Sequence, residues 1–312
     1  MTETNISISS GSLTLQGTLD VCGPTPGAAA LLISGSGPVD RNSNAKRLSI
    51  NVMGQIASHL ASNNISSLRY DKRGAGQSDG DYRSTGFHDN VEDAMAALEA
   101  LRARPEVDRD RVVVIGHSEG ALIASVLAAD KQLAGVALLA GAATNGKDVL
   151  RWQARQIAPT LPKPVKLLMK VLRQDLVRTQ MKRLGRIESS TEDVIRIQLV
   201  RLNAKWFREF MSFEPANALQ HAAVPVLAMT GTKDVQVNPA DVALMEQSVP
   251  TPFVGHLIED MTHLLRTEPG TASVRTYKKQ ARQPLNQQLT DLLTTWVATH
   301  TQTKNGVCNG NL

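Results

Sequence analysis

Three residues of this sequence could together make a hydroxyl oxygen reactive: Ser118, Asp234 and His263, in that chain order. A serine hydroxyl is a weak nucleophile near neutral pH. It needs a base to take its proton, a group to orient that base, and donors to stabilise the oxyanion. Ser118 lies between glycines in Gly116-His117-Ser118-Glu119-Gly120. A Gly-x-Ser-x-Gly pattern alone arises by chance roughly once per ten chains of this length, taking both residues at about 7%. Its setting is more specific. Val112 to Ile115 read as a strand, the two glycines permit a cramped turn, and Ala121 to Ala129 follow as a small-residue helix that can pack close to a sheet. That strand-turn-helix arrangement lifts a serine oxygen to the carboxyl end of a strand.

Asp234 follows the apolar run Val224 to Thr230 directly, in Gly-Thr-Lys-Asp, which puts it on the same rim and makes it the candidate orienting acid. The candidate base is His263, in a loop after the last strand signal, Pro252 to Asp260. Among seven histidines its rivals have poorer positions. His117 adjoins the serine and is expected to point away from it, His59 sits on an amphipathic helix, His88 begins one, and His256 lies inside the apparent strand. For the oxyanion, the backbone N–H of Glu119 follows the nucleophile. A second donor is expected from the Gly-rich loop Ser34 to Asn42, with Ser36 chosen and Gly37 next to it.

These parts need a scaffold that brings three loops to one edge. Two patterned segments, Asn5 to Ser10 and Ser12 to Val21, read as an amino-terminal hairpin. Then come short apolar runs ending at Ser34, Tyr70, Gly116, Ala140 and Thr230, each followed by a glycine or turn signal, with helical patterns such as Val91 to Arg104 between them. Continuous apolar runs mark strands buried on both faces, and their alternation with helices predicts an α/β fold with a mostly parallel central sheet covered on both sides. Alternation stops for about 70 residues between Gly146 and Val224, where Pro162, Pro164 and Pro215 punctuate two segments that both read as helical. The expected organisation is a core of residues 1–144 and 216–312 with a helical cap or lid at 145–215.

The cap carries eight Lys/Arg and one Asp between Lys163 and Arg186, with Leu167, Leu168, Val171, Leu172 and Leu176 interleaved. Such a basic amphipathic helix could meet a membrane or an anionic substrate, but the favoured reading is a lid helix whose cations, Lys163, Lys166 and Lys170 among them, face solvent while its apolar side lines an acyl pocket.

Composition sets the outer limits. With 312 residues, 42% hydrophobic and 20% charged, the chain is of ordinary globular type. Its amino terminus has no basic stretch followed by an apolar one, and no run approaches a membrane span, so a cytoplasmic protein without stable membrane insertion is expected. Cys22 and Cys308 have no partner spacing for a metal or a disulfide framework. A net charge of +5 comes without any nucleic-acid motif, so no nucleic-acid partner is expected.

Taken together, Gly-Ser-Gly-Pro-Val-Asp-Arg-Asn, Asp-Lys-Arg-Gly-Ala-Gly-Gln-Ser-Asp-Gly, Gly-His-Ser-Glu-Gly and Gly-Thr-Lys-Asp-Val-Gln-Val resemble the α/β-hydrolase superfamily, and within it the bacterial carboxylesterase branch. The resemblance implies an α/β-hydrolase fold and hydrolysis of a small-molecule carboxylic ester through an acyl-enzyme. Ser118, Asp234 and His263 would be the triad, with no cofactor and no metal. It departs from many relatives in having Ser34-Gly35 where they carry His-Gly, and the cap holds no matching motif. Acyl-thioester hydrolysis and aminoacyl peptidase activity use the same triad, and a non-catalytic small-molecule binder could share the fold. The charged loops around Arg73 and Asp40 to Asn42 are expected to brace the rim.

Overall fold

The continuous apolar runs become the central strands of an eight-stranded sheet. A computed structural model describes residues 2–302 apart from 163, 165, 166, 168, 170 and 172–174. Lys163, Lys166 and Lys170 of the basic segment, like Cys308, therefore lie outside the described residues. We label the main strands β1 (Thr2–Ser10), β2 (Leu13–Val21), β3 (Gly27–Ile33), β4 (Ser66–Tyr70), β5 (Val107–His117), β6 (Gly135–Leu139), β7 (Val226–Gly231) and β8 (Phe253–Ile258). Their spatial order is β1-β2-β4-β3-β5-β6-β7-β8. The amino-terminal hairpin pairs antiparallel and joins β4 antiparallel, while all later pairings are parallel. This is the α/β-hydrolase fold.

Burial on both faces explains why the runs do not alternate. In β3, Ala29, Leu31 and Ile33 join the core on one side, and Ala30 and Leu32 join the core on the other. Val112 and Val114 of β5 likewise oppose Val113 and Ile115. The first core is closed by helices α2 (Phe87–Arg102) and α3 (Glu119–Leu127), the second by α1 (Val52–Ala61) and the carboxyl-terminal helix Gln287–His300. Because the central strands are parallel, the loops after β3, β5, β7 and β8 all leave at one rim. No helix among the described residues is long and apolar enough to cross a membrane.

Between β6 and β7 run α4 (Gly146–Ile157), α5 (Leu176–Glu188), α6 (Ala204–Ser212) and α7 (Pro215–Leu219). Here the structure corrects one sequence expectation. The stretch around Val194 reads as helical in period, yet Val194–Ile197 and Val200–Asn203 form an antiparallel hairpin. Val194, Ile195, Ile197 and Val200 are β-branched, which favours extended backbone. Gln198 and Leu199 turn the chain with φ of 48° and 67°, the left-handed pair that a two-residue hairpin loop requires. One face of the hairpin packs Ile195, Ile197 and Leu202 against Leu184, Ile187 and Met211, a small core separate from the two at the sheet.

Candidate active site

The turn from β5 into α3 holds Ser118 at φ 56° and ψ −117°. Such a conformation costs a non-glycine residue on the order of 1–3 kcal/mol. Its surroundings over-determine it. The Ser118 N–H donates to the Leu139 carbonyl at 2.9 Å, and the Ser118 carbonyl accepts from the Ala121 N–H at 3.0 Å. The flanking glycines are required by contact. A Cβ on Gly116 would sit 2.0 Å from the Gly120 carbonyl oxygen, and one on Gly120 would sit 2.1 Å from that of Ile33.

His263 and Asp234, 145 and 29 residues away in the chain from the groups they meet, converge on this serine. The Ser118 hydroxyl lies 3.0 Å from His263 Nε2, and His263 Nδ1 lies 2.8 Å from Asp234 Oδ2. A carboxylate can only accept, so Nδ1 carries the proton and Nε2 presents a lone pair to the hydroxyl. The other carboxylate oxygen accepts from the N–H groups of Gln236 at 2.7 Å and Val237 at 2.9 Å, which fixes the side chain. Two backbone bonds lock the acid loop to the histidine loop, Thr232 N–H to Ile258 and Lys233 N–H to Met261. A Cβ on Gly231 would lie 1.9 Å from the Met261 carbonyl oxygen, so only glycine lets these loops come this close. The rival His256 sits within β8, paired with Met229.

Two residues that hold the histidine loop escape sequence reading. His117, buried beside Ser118, donates from Nε2 to the His263 carbonyl at 2.8 Å. Its Nδ1 is buried without a partner among the described residues. Burial, then the neighbouring His263, push its pKa down to about 3, so the ring stays neutral and keeps this donor role. Arg266, wholly buried, donates to the carbonyls of Leu264 at 2.6 Å, Ile50 at 2.7 Å and Gln283 at 3.2 Å. Burial lowers its pKa to about 10. Arg266 stands in no motif, and His117 fills a variable position of the Gly-x-Ser-x-Gly pattern, so its only signal was its place beside Ser118.

Glu119 opens α3, so its N–H is among those with no acceptor inside the helix. Its buried carboxylate gathers Lys72 Nζ at 2.7 Å, Asn90 Nδ2 at 2.9 Å and the Trp206 indole N–H at 2.7 Å. Lys72 also donates to the Gly35 carbonyl at 3.3 Å, tying the loop after β3 to this cluster. In that loop Gly35 runs close to Ser118, where an added Cβ would be 3.2 Å from the serine Cβ. Ser36 lines a cavity together with Ser118 and Glu119, whereas Gly37, at φ 96°, lies beside a different one. The loops expected to brace the rim do carry charged bonds: Arg41 grips Asp71 at 2.7 Å, and Arg73 meets Asp93 at 2.7 Å.

The serine opens on two chambers. One, of about 220 Å³, is walled by Leu122, Val149, Leu150, Trp206, Phe207 and Phe210. Trp206 stacks on Phe210 with ring centres 4.6 Å apart. The other, of about 190 Å³, includes His263, Leu48, Ile50 and Tyr277.

A family model described as serine aminopeptidase, S33, matches residues 48–270. The chain belongs to this family of α/β-hydrolases. It is 25% identical over 282 residues to Esterase EstD of Thermotoga maritima, a match covering 88% of this chain and 62% of that protein, so it spans less than two thirds of the relative's length. Among solved structures, the α/β-hydrolase GrgF from Penicillium sp. sh18 superposes with a TM-score of 0.65 at 17% identity, covering 96% of this chain and 99% of that one. Est1E from Butyrivibrio proteoclasticus with bound ferulic acid gives 0.62 at 15%, covering 94% and 96%. Proline iminopeptidase from Mycobacterium smegmatis gives 0.62 at 13%, covering 96% and 99%. At these identities the structural likenesses concern the fold.

Proposed function

We propose that this S33-family chain is a serine hydrolase that cleaves carboxylic esters with small or medium acyl groups. The observation that carries the proposal is the relay of Ser118, His263 and Asp234 at 3.0 and 2.8 Å on a strained, glycine-bounded turn. His263 takes the hydroxyl proton as Ser118 attacks the carbonyl carbon, and Asp234 stabilises the imidazolium that forms. The oxyanion is held by the N–H of Glu119 and of Ser36. Collapse of the tetrahedral intermediate expels the alcohol, which takes the proton from His263. Water then enters by the same base, and the acid leaves. Two chambers meeting at the serine suit the two halves of an ester, with the acyl group in the one whose aromatic wall of Trp206, Phe207 and Phe210 comes from residues 145–215, which serve as a cap.

The similarity to Esterase EstD supports an ester, and the family description raises aminopeptidase activity as the second reading. An aminopeptidase must hold a substrate ammonium beside the scissile bond. Among the residues lining the two serine chambers, the only carboxylate is Glu119, and Lys72 already balances its charge. The ester reading is therefore favoured, with thioesters open to the same relay.

A fluorophosphonate should label the protein once, at Ser118, and Ser118→Ala should abolish both labelling and hydrolysis of 4-nitrophenyl acetate. His263→Ala should lower kcat by about a thousandfold or more, with His256→Ala mild. Label on another serine, or a crippled His256→Ala, would overturn the assignment.

A further inference from the structure

Beyond the two serine chambers lies a third, of about 210 Å³, joined to the acyl chamber through Ser36, Trp206 and Phe207, which line both. Its chemistry differs. Lys72, Arg73 and Arg201 line it, and no carboxylate does.

These three cations are not equivalent. Lys72 is balanced by Glu119 at 2.7 Å, and Arg73 by Asp93 at 2.7 Å and Asp89 at 3.5 Å. The exposed Arg201 side chain has no hydrogen bond or ion pair to any described residue. It stands on the hairpin directly opposite Arg196, also without a partner among the described residues. Directly opposed residues of an antiparallel pair share a face, and like charges there destabilise the pair. Both side chains are exposed, so water screens this repulsion in part, and the same hairpin face bears Asn203, whose amide donates to the Tyr82 carbonyl at 2.6 Å and the Thr85 carbonyl at 2.7 Å at the chamber wall. An anion in the chamber would offset that repulsion. Guanidinium groups bind carboxylates in a planar, two-pronged geometry, and Trp206 and Phe207 supply apolar faces for the chain or ring that carries it.

We propose that this chamber is a subsite for a carboxylate on the substrate, bound by Arg201, so that the preferred esters are anionic ones whose carboxylate lies several bonds from the scissile carbonyl. The volume is below the roughly 300–1,000 Å³ of sites for drug-sized ligands, so the occupant is one small fragment rather than a nucleotide tail. The inference rests on the serine ester hydrolase reading but is tested separately from it.

The test compares matched substrates. On the acyl side, 4-nitrophenyl hydrogen glutarate is set against 4-nitrophenyl pentanoate; on the alcohol side, 4-acetoxybenzoate is set against 4-acetoxybenzamide. In at least one pair kcat/KM should favour the anion by roughly tenfold, as a charge-assisted hydrogen bond would give. That ratio should fall towards one in Arg201→Gln, recover in part in Arg201→Lys, and shrink as salt shortens the screening length from about 10 Å at 0.1 M to about 3 Å at 1 M. A neutral ester preferred in both pairs, or an anion preference untouched by Arg201→Gln, would overturn the subsite. So would acetyl-CoA outpacing S-ethyl thioacetate in an Arg201-dependent way, which would assign the chamber to phosphate. Failure of the ester hydrolase reading itself would look different: neither member of either pair would turn over in a Ser118-dependent manner.

Discussion

The rim of the sheet and the segment above it are built by opposite means. At the rim, glycine contacts of 1.9 to 2.1 Å to an added Cβ, buried hydrogen bonds and two large cores leave Ser118, Asp234 and His263 no second arrangement. Between β6 and β7 the helices dock Val149, Phe210 and Leu219 onto the large core, but the hairpin and α5 rest on a small cluster of their own, and Leu167, Val171 and Leu199 are 63%, 70% and 87% exposed. Yet that second region supplies Trp206, Phe207, Phe210 and Arg201, which face or flank the serine chambers. The contrast separates two jobs. A proton relay would tolerate little movement, so its proposed members sit where packing is densest, whereas shaping a chamber needs only a wall and can be delegated to a less tightly held segment.

The largest effect should come from the rim. Gly120→Ala would press a methyl group into the Ile33 carbonyl. We expect a loss of roughly 3 kcal/mol or more of stability or a failure to fold, read by thermal melting. An active, stable Gly120→Ala protein would break the contrast.

His117 gives the next effect, and its sign follows from linkage. The folded ring titrates at about 3, against an unfolded value near 6.5. Between these values the unfolded chain binds the extra proton, so this group makes stability rise with pH from about 3 to 6.5. That contribution is lost as pH falls through the window, by on the order of 1 kcal/mol per pH unit. The neighbouring His263 ring, 5.1 Å away, and the Arg266 guanidinium reinforce the direction. Relative to His117→Asn, the parent protein should melt progressively lower as pH drops from about 6.5 to about 4.5. Parallel melting curves would show that His117 is not held neutral.

Trp206→Phe sharpens the boundary between the two regions. It keeps an aromatic wall but removes the indole donor to Glu119, whose carboxylate retains Asn90 and Lys72. A loss of about 1 kcal/mol in stability is expected, with KM for a neutral ester rising several-fold and kcat changing less. A collapse of kcat instead would mean that the wall also positions the Glu119 N–H.

The smallest effect should be that of replacing Lys163, Lys166 and Lys170 together by glutamine. If these cations only face solvent, kcat/KM for a neutral short-chain ester should stay within about twofold, since exposed charges contribute little. A steep loss would show that they face substrate.

Much of this was legible in the chain, and the reasons are local. Five short continuous apolar runs between turn signals, alternating with helical patterns, fit strands buried on both faces, and glycine on either side of Ser118 at a strand end favours a tight turn. Asp234 and His263 could be chosen because parallel strands deliver their following loops to one rim. Other features depended on groups distant in sequence. Val194 to Asn203 carry apolar residues compatible with either period, and packing against Leu184, Ile187 and Met211 selected the hairpin. Glu119 was chosen for its backbone N–H alone, but burial of its side chain with Lys72, Asn90 and Trp206 makes it the tie between the rim and the segment above. His117 acquires its role only because the His263 carbonyl arrives 2.8 Å from its ring. The sequence by itself determined the sheet, the turn and the candidate relay, because each is specified by neighbours within a few residues or by strand direction. The tertiary structure alone decided which buried polar groups found partners and that Arg201, without one among the described residues, lines a chamber beside the serine, because those outcomes depend on which loops meet after the chain has folded.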